Sequence, residues 1–124
     1  SHHADEHSLY ILVNQDLKMS KGKLGAQIGH VVQDIVSQAM KAIYCPFRGR
    51  LAFDLSTYHR WEKSGSRKII LKGPQEALES HLGEKDGIAI YDSGHTEVAR
   101  DSLTVVGWFP TSQGTTRFAH YSLV

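Results

Sequence analysis

The feature that most constrains this chain is a set of short, continuous apolar runs separated by segments of helical periodicity. Leu9-Tyr10-Ile11-Leu12-Val13 has no polar interruption and is partly β-branched. A strand of this kind is buried on both faces, so its sheet needs a covering layer on each side. Lys68-Ile69-Ile70-Leu71, Ile88-Ala89-Ile90-Tyr91 and the run from Leu103 to Phe109 read as three further strands. Between the first two runs, Leu24, Ile28, Val31, Ile35, Ala39 and Ile43 recur every three or four residues and line one face of a long helix. Ser20 is placed to cap it.

The remaining punctuation completes the expected order. Cys45-Pro46 and Gly49 predict a loop from Tyr44 to Phe53. Asp54 or Ser56 is expected to cap a shorter helix that runs through Trp61 and is closed by Gly65. Gly73-Pro74 opens a third helix, ending at Gly83. Thr115 to Val124 alternates weakly and suggests an edge strand. Strands alternating with helices predict an α/β fold. The expectation is a single three-layer domain: a small mixed sheet of four strands, with a short fifth, and helices on both faces. Residues 1–7 are expected to be a disordered or cloning-derived N-terminus, which removes His2, His3 and His7 from any site argument. Residues 8–124 are expected to form the domain.

Composition narrows the function classes. A chain of 124 residues fits one domain and can bury a core without disulfides or a structural metal. Cys45 is the sole cysteine, so it forms no internal disulfide, and with no signal peptide in view the expected setting is a reducing cytoplasm. No apolar run approaches the roughly 18 residues of a membrane span. The formal net charge is +1, yet it is unevenly distributed. Residues 1–72 hold 11 Lys and Arg against 6 Asp and Glu, whereas residues 73–124 hold 3 against 7. One basic face, or ordinary surface variation, accounts for that asymmetry.

Ligands of open α/β sheets gather beyond the carboxyl ends of the strands. Two loops stand there. The first carries Lys18, Lys21 and Lys23 around the start of the long helix, where free amides already favour anions. It lacks the glycine of a P-loop, since Leu17 occupies that position, and it reads either as a phosphate site or as a solvated lysine loop. Lys23, Gln27 and His30 fall broadly on one side of the helix. His30 and Asp34 could form an oriented base or an ordinary hydrogen bond, and no third metal ligand stands near them. The second loop, Asp92-Ser93-Gly94-His95-Thr96-Glu97, follows the third strand. Asp92, Lys23, Thr96 and Thr104 together could polarise a water and stabilise an oxyanion. Asp-x-Gly-x-Thr also occurs as plain turn chemistry.

In combination these segments resemble the type 2 peptidyl-tRNA hydrolases, the archaeal and eukaryotic class. The matching pieces are Asp16-Leu17, Gly22-Lys23-Leu24-Gly25-Ala26-Gln27 and His30; Trp61, Gly65 and Lys68 to Lys72; and Asp92 to Val98, Ser102 to Gly107 and Pro110. They stand in family order across most of residues 9–110. The resemblance implies a small sheet with helices on both faces, usually as a homodimer. It implies hydrolysis, without a cofactor or metal, of the ester joining a peptide to the 3′ ribose of tRNA. The catalytic residues it implies are Lys23, Asp92, Thr96 and Thr104; the mechanism expected of them is that Asp92 holds Lys23 and the threonines orient water or ester. Lys18, Lys21, Gly22, Gln27, His30 and Gly94 are expected on the substrate-binding side. Arg48, Arg50 and Lys72 are expected to join the basic loop against tRNA phosphates. The alternative is a catalytically altered homologue acting as an RNA- or protein-binding module.

Overall fold

A computed structural model of the chain describes residues 6–44, 55–93, 99 and 101–124. The first apolar run becomes β1 (Leu9–Asn14), buried at all six positions as its composition requires. The periodic segment becomes α1 (Lys21–Tyr44). After it come α2 (Leu55–Lys63), β2 (Lys68–Gly73), α3 (Gln75–Ser80), β3 (Gly87–Tyr91), β4 (Leu103–Trp108), the single turn α4 (Gly114–Arg117) and β5 (Ser122–Leu123). The expected edge strand is therefore real but only two residues long.

The sheet order is β3-β4-β1-β2-β5. β1 and β2 run parallel, with α1 and α2 in the crossover. β4 runs antiparallel to both β1 and β3, and β5 antiparallel to β2. The carboxyl ends of β1, β2 and β3 and the start of β4 consequently share one edge of the sheet. Two cores flank it. Leu9, Ile11 and Val13 pack with Val31, Ile35 and Ala39 of α1, Tyr58 and Trp61 of α2, and Val105. Tyr10, Leu12 and Leu71 pack on the other face with Leu78 of α3, Val106, Trp108 and Phe118. This is the three-layer arrangement expected from the sequence. Among the described residues no helix is long and apolar enough to cross a membrane.

Local details depart from the expectation in four places, the first being α3, which ends at Ser80 and not at Gly83. The buried stripe of α1 is Gln27, Val31, Ile35, Ala39 and Ala42, whereas Leu24, Ile28 and Ile43 are only half-buried. Ser56 lies inside α2 and does not cap it; the alternative cap, Asp54, lies outside the described residues, as do Cys45-Pro46, Gly49 and residues 1–5. α2 continues to Lys63, and Gly65 then takes φ +110°, a left-handed conformation that glycine adopts without steric cost.

Candidate active site

The site begins where β1 ends. Asn14 is fully buried, and its side-chain amide donates to the Leu103 carbonyl at 2.9 Å. Its own oxygen accepts the Asp16 amide at 3.0 Å, and Asp16 in turn accepts the Gln75 amide at the start of α3 at 2.8 Å. These bonds tie the β1–α1 loop to β4 and α3. Ser20 then caps α1 as expected, its hydroxyl accepting the Lys23 amide at 3.2 Å. The first turn of α1 is thereby held over the carboxyl edge of the sheet.

That placement brings Lys23 onto Asp92, which follows β3. Their side chains form an ion pair in which Lys23 is 11% exposed and Asp92 only 1%. The backbone of Asp92 is fixed as well. Its amide donates to Ser102 at 2.9 Å, and its carbonyl accepts the Asp101 amide at 2.9 Å. Lys23, Ala26, Gln27 and His30 of α1 face Tyr91, Asp92 and Ser93 across a cavity of about 370 Å³. Four of the expected site residues, Lys23, Gln27, His30 and Asp92, thus converge on it.

Thr104 reaches this group indirectly. Ile90 pairs with Val105 and Tyr91 with Leu103, so Thr104 is an extra residue on β4 with no partner on β3. The bulge turns it toward α1, beside Val105, although Leu103 and Val106 point to the opposite core. Its fully buried hydroxyl lies 2.8 Å from Gln27 Oε1 and 3.1 Å from the Ile90 carbonyl. It does not line the cavity. Lys18, Lys21 and Gly22 are exposed at the mouth of the β1–α1 loop. His30 and Asp34 are both exposed, with no hydrogen bond between them. Gly94, Thr96, Arg48 and Arg50 lie outside the described residues. Tyr91 and Ser93 are cavity residues that the sequence reading did not single out.

A second charged cluster occupies the opposite end of β3. Glu84 accepts the Trp108 indole N–H at 2.8 Å and meets His81 at 3.1 Å and Arg117 at 3.2 Å. Arg117 also grips Asp86 through two bonds, at 2.6 and 3.0 Å. Burial pushes the Glu84 carboxyl up, but the bonds from Trp108 and His81 and the charges of His81 and Arg117 outweigh it and leave it below its ordinary value. Hydrogen bonds to Asp86 raise the Arg117 guanidinium, against a smaller opposing effect of burial. The groups of this cluster satisfy one another and clamp the α4 turn to the sheet.

The chain is similar in sequence to proteins of one family. The family model described as "Peptidyl-tRNA hydrolase PTH2" matches residues 7–117. The chain is 31% identical over 111 residues to the "Probable peptidyl-tRNA hydrolase 2" of Caenorhabditis elegans, covering 85% of this chain and 32% of that protein. It is 31% identical over 112 residues to the human "Peptidyl-tRNA hydrolase 2, mitochondrial", covering 85% and 56%. With the "Peptidyl-tRNA hydrolase" of Thermoplasma acidophilum it shares 28% identity over 111 residues, covering 85% and 86%. The chain therefore spans about a third to a little over half of these eukaryotic relatives and most of the archaeal one. It belongs to the PTH2 family of peptidyl-tRNA hydrolases.

Proposed function

We propose that the chain hydrolyses the ester between a peptide and the 3′ ribose of tRNA, releasing both. The observation that carries this reading is the buried Lys23–Asp92 ion pair at the wall of a cavity, in a chain of this family. Ester hydrolysis needs a water nucleophile, support for the negative charge growing on the carbonyl oxygen, and a proton for the departing ribose oxygen. The Lys23 ammonium supplies a fixed positive charge where water is largely excluded, and there it acts more strongly than in bulk solvent. Asp92 offsets the cost of removing that ammonium from water and fixes its direction. Thr96, which follows Asp92 in sequence, is assigned to orienting the reacting groups, and Thr104, buried behind the cavity, to acting through Gln27. Gly22, His30 and Gly94 are assigned to the substrate-binding wall, and Lys18 and Lys21 to the tRNA backbone. The single cysteine favours a reducing cytoplasm, and a homodimer is the assembly that the family resemblance suggests.

Release of an N-blocked amino acid from its tRNA tests the assignment. Lys23→Ala and Asp92→Asn should each slow the wild-type reaction by on the order of a hundredfold, as expected for loss of a positioned acid–base or charge-stabilising group. Rates for both variants within about threefold of wild type would remove the ion pair from the mechanism.

A further inference from the structure

Resting on that reading of the reaction, we infer that Gln27 is a catalytic hydrogen-bond donor to the carbonyl oxygen and that Thr104 is the residue that positions it. Gln27 is only 4% exposed, yet it lines the cavity. Its oxygen is taken by the Thr104 hydroxyl at 2.8 Å. Its nitrogen has no protein partner among the described residues, where no buried side-chain nitrogen or oxygen is left unpaired. The one direction left for Nε2 is therefore the cavity, toward which it presents N–H donors from an otherwise buried side chain.

Several features make this arrangement specific. An amide on the apolar stripe of a long helix is costly to bury without partners. Here it takes the stripe position one helical turn before Val31, and the bulge at Thr104 supplies a hydroxyl for one end only. That hydroxyl carries one hydrogen, which Gln27 Oε1, the nearer acceptor at 2.8 Å, takes ahead of the Ile90 carbonyl at 3.1 Å. Lys23 and Gln27 are four residues apart on α1, so their side chains are neighbours on one face. Ammonium and amide N–H groups then converge on the same volume, as oxyanion-stabilising donors do.

The chemistry balances without a further reactant. Water oxygen adds to the ester carbon, and the π pair of the carbonyl moves onto its oxygen. That oxygen, now anionic, accepts hydrogen bonds from Gln27 Nε2 and Lys23 Nζ. When the pair returns, the bond to the ribose 3′ oxygen breaks, and that oxygen leaves with a proton that came from the water.

The test measures kcat and KM for an N-blocked aminoacyl-tRNA, alongside binding of uncharged tRNA and thermal unfolding of every variant. Gln27→Met and Gln27→Glu should each lower kcat by on the order of a hundredfold, the usual effect of losing one such donor, with KM changed only a few-fold. Thr104→Val, which preserves shape and removes the hydroxyl, should lower kcat by about tenfold, and Thr104→Ser should recover much of that loss. Uncharged tRNA should bind all four variants alike. Full activity in Gln27→Glu would show that the cavity needs an acceptor there, and the inference would fall. A change confined to KM, or an inactive Thr104→Ser that still folds, would overturn it equally. Wild-type protein that releases nothing would instead sink the hydrolytic reading together with the role of Gln27.

Discussion

Glu84 illustrates how single side chains set the limits of stability. Its carboxyl sits below its ordinary value in the folded chain, so folding favours the ionised form. Its contribution is therefore complete above the ordinary carboxyl range near 4.5 and is lost as pH falls below it toward the folded value. Melting temperatures of wild type and Glu84→Gln should differ most at neutral pH and draw together as pH falls below the ordinary carboxyl range. An equal difference above and below that range would exclude the ionised carboxyl as its source. At the cavity, residue types were readable in advance. Lys23, Gln27 and Asp92 came from spacing and from the likeness to a family, and the structure brings them together. Thr104 was readable as a site residue but not as a buried one. Simple alternation from Val106 and Trp108 would point it toward α3, and a one-residue bulge, which leaves no mark in composition, reverses that.

Among the elements, α1 matters most, because it carries Lys23 and Gln27 and rests directly on β4. It packs closely over Gly107, where an added Cβ would stand 2.5 Å from Val31 Cγ2, inside the core. A glycine within a strand is a recognised sign of close backbone approach, so this contact was available to a reader of the sequence. Gly107→Ala should destabilise the fold by about 1–3 kcal/mol, the usual range for overpacking a core, which a denaturant titration would read. The same variant should lose activity while still folded, since displacing α1 moves both donors. An unchanged midpoint would mean that Val31 yields without strain. The order and type of the elements were largely legible, because continuous apolar runs and a four-residue stripe are strong signals. The exact facing of α1 was not. Gln27 holds a core position that hydropathy assigns to an apolar residue, and its partner Thr104 is 77 residues away.

For the molecule as a whole, charge position outweighs net charge. Lys18 and Lys21 are exposed just before and at the start of α1, and 11 of the chain's 14 Lys and Arg lie in residues 1–72. If these lysines contact phosphates, tRNA affinity should fall with salt, and the log–log slope should shrink by about two units in a Lys18→Ala, Lys21→Ala double variant. A slope unaffected by both changes would remove the β1–α1 loop from the tRNA contact.

The position of β3 at the end of the strand order has a separate consequence. Among the described residues it has a hydrogen-bonded neighbour on one side only, β4, yet the residue directly after it is Asp92. Its detachment would break the ion pair and also withdraw Ile88, Ile90 and Ala89 from the two cores. Lys23 and Asp92 are 69 residues apart, a long-range pairing, though shorter in sequence than the 89 residues between Asn14 and Leu103. Competence is thus tied to the completion of folding. A chain without β3 in place holds Lys23 but not its Asp92 partner, so the ion pair exists only once that strand is seated.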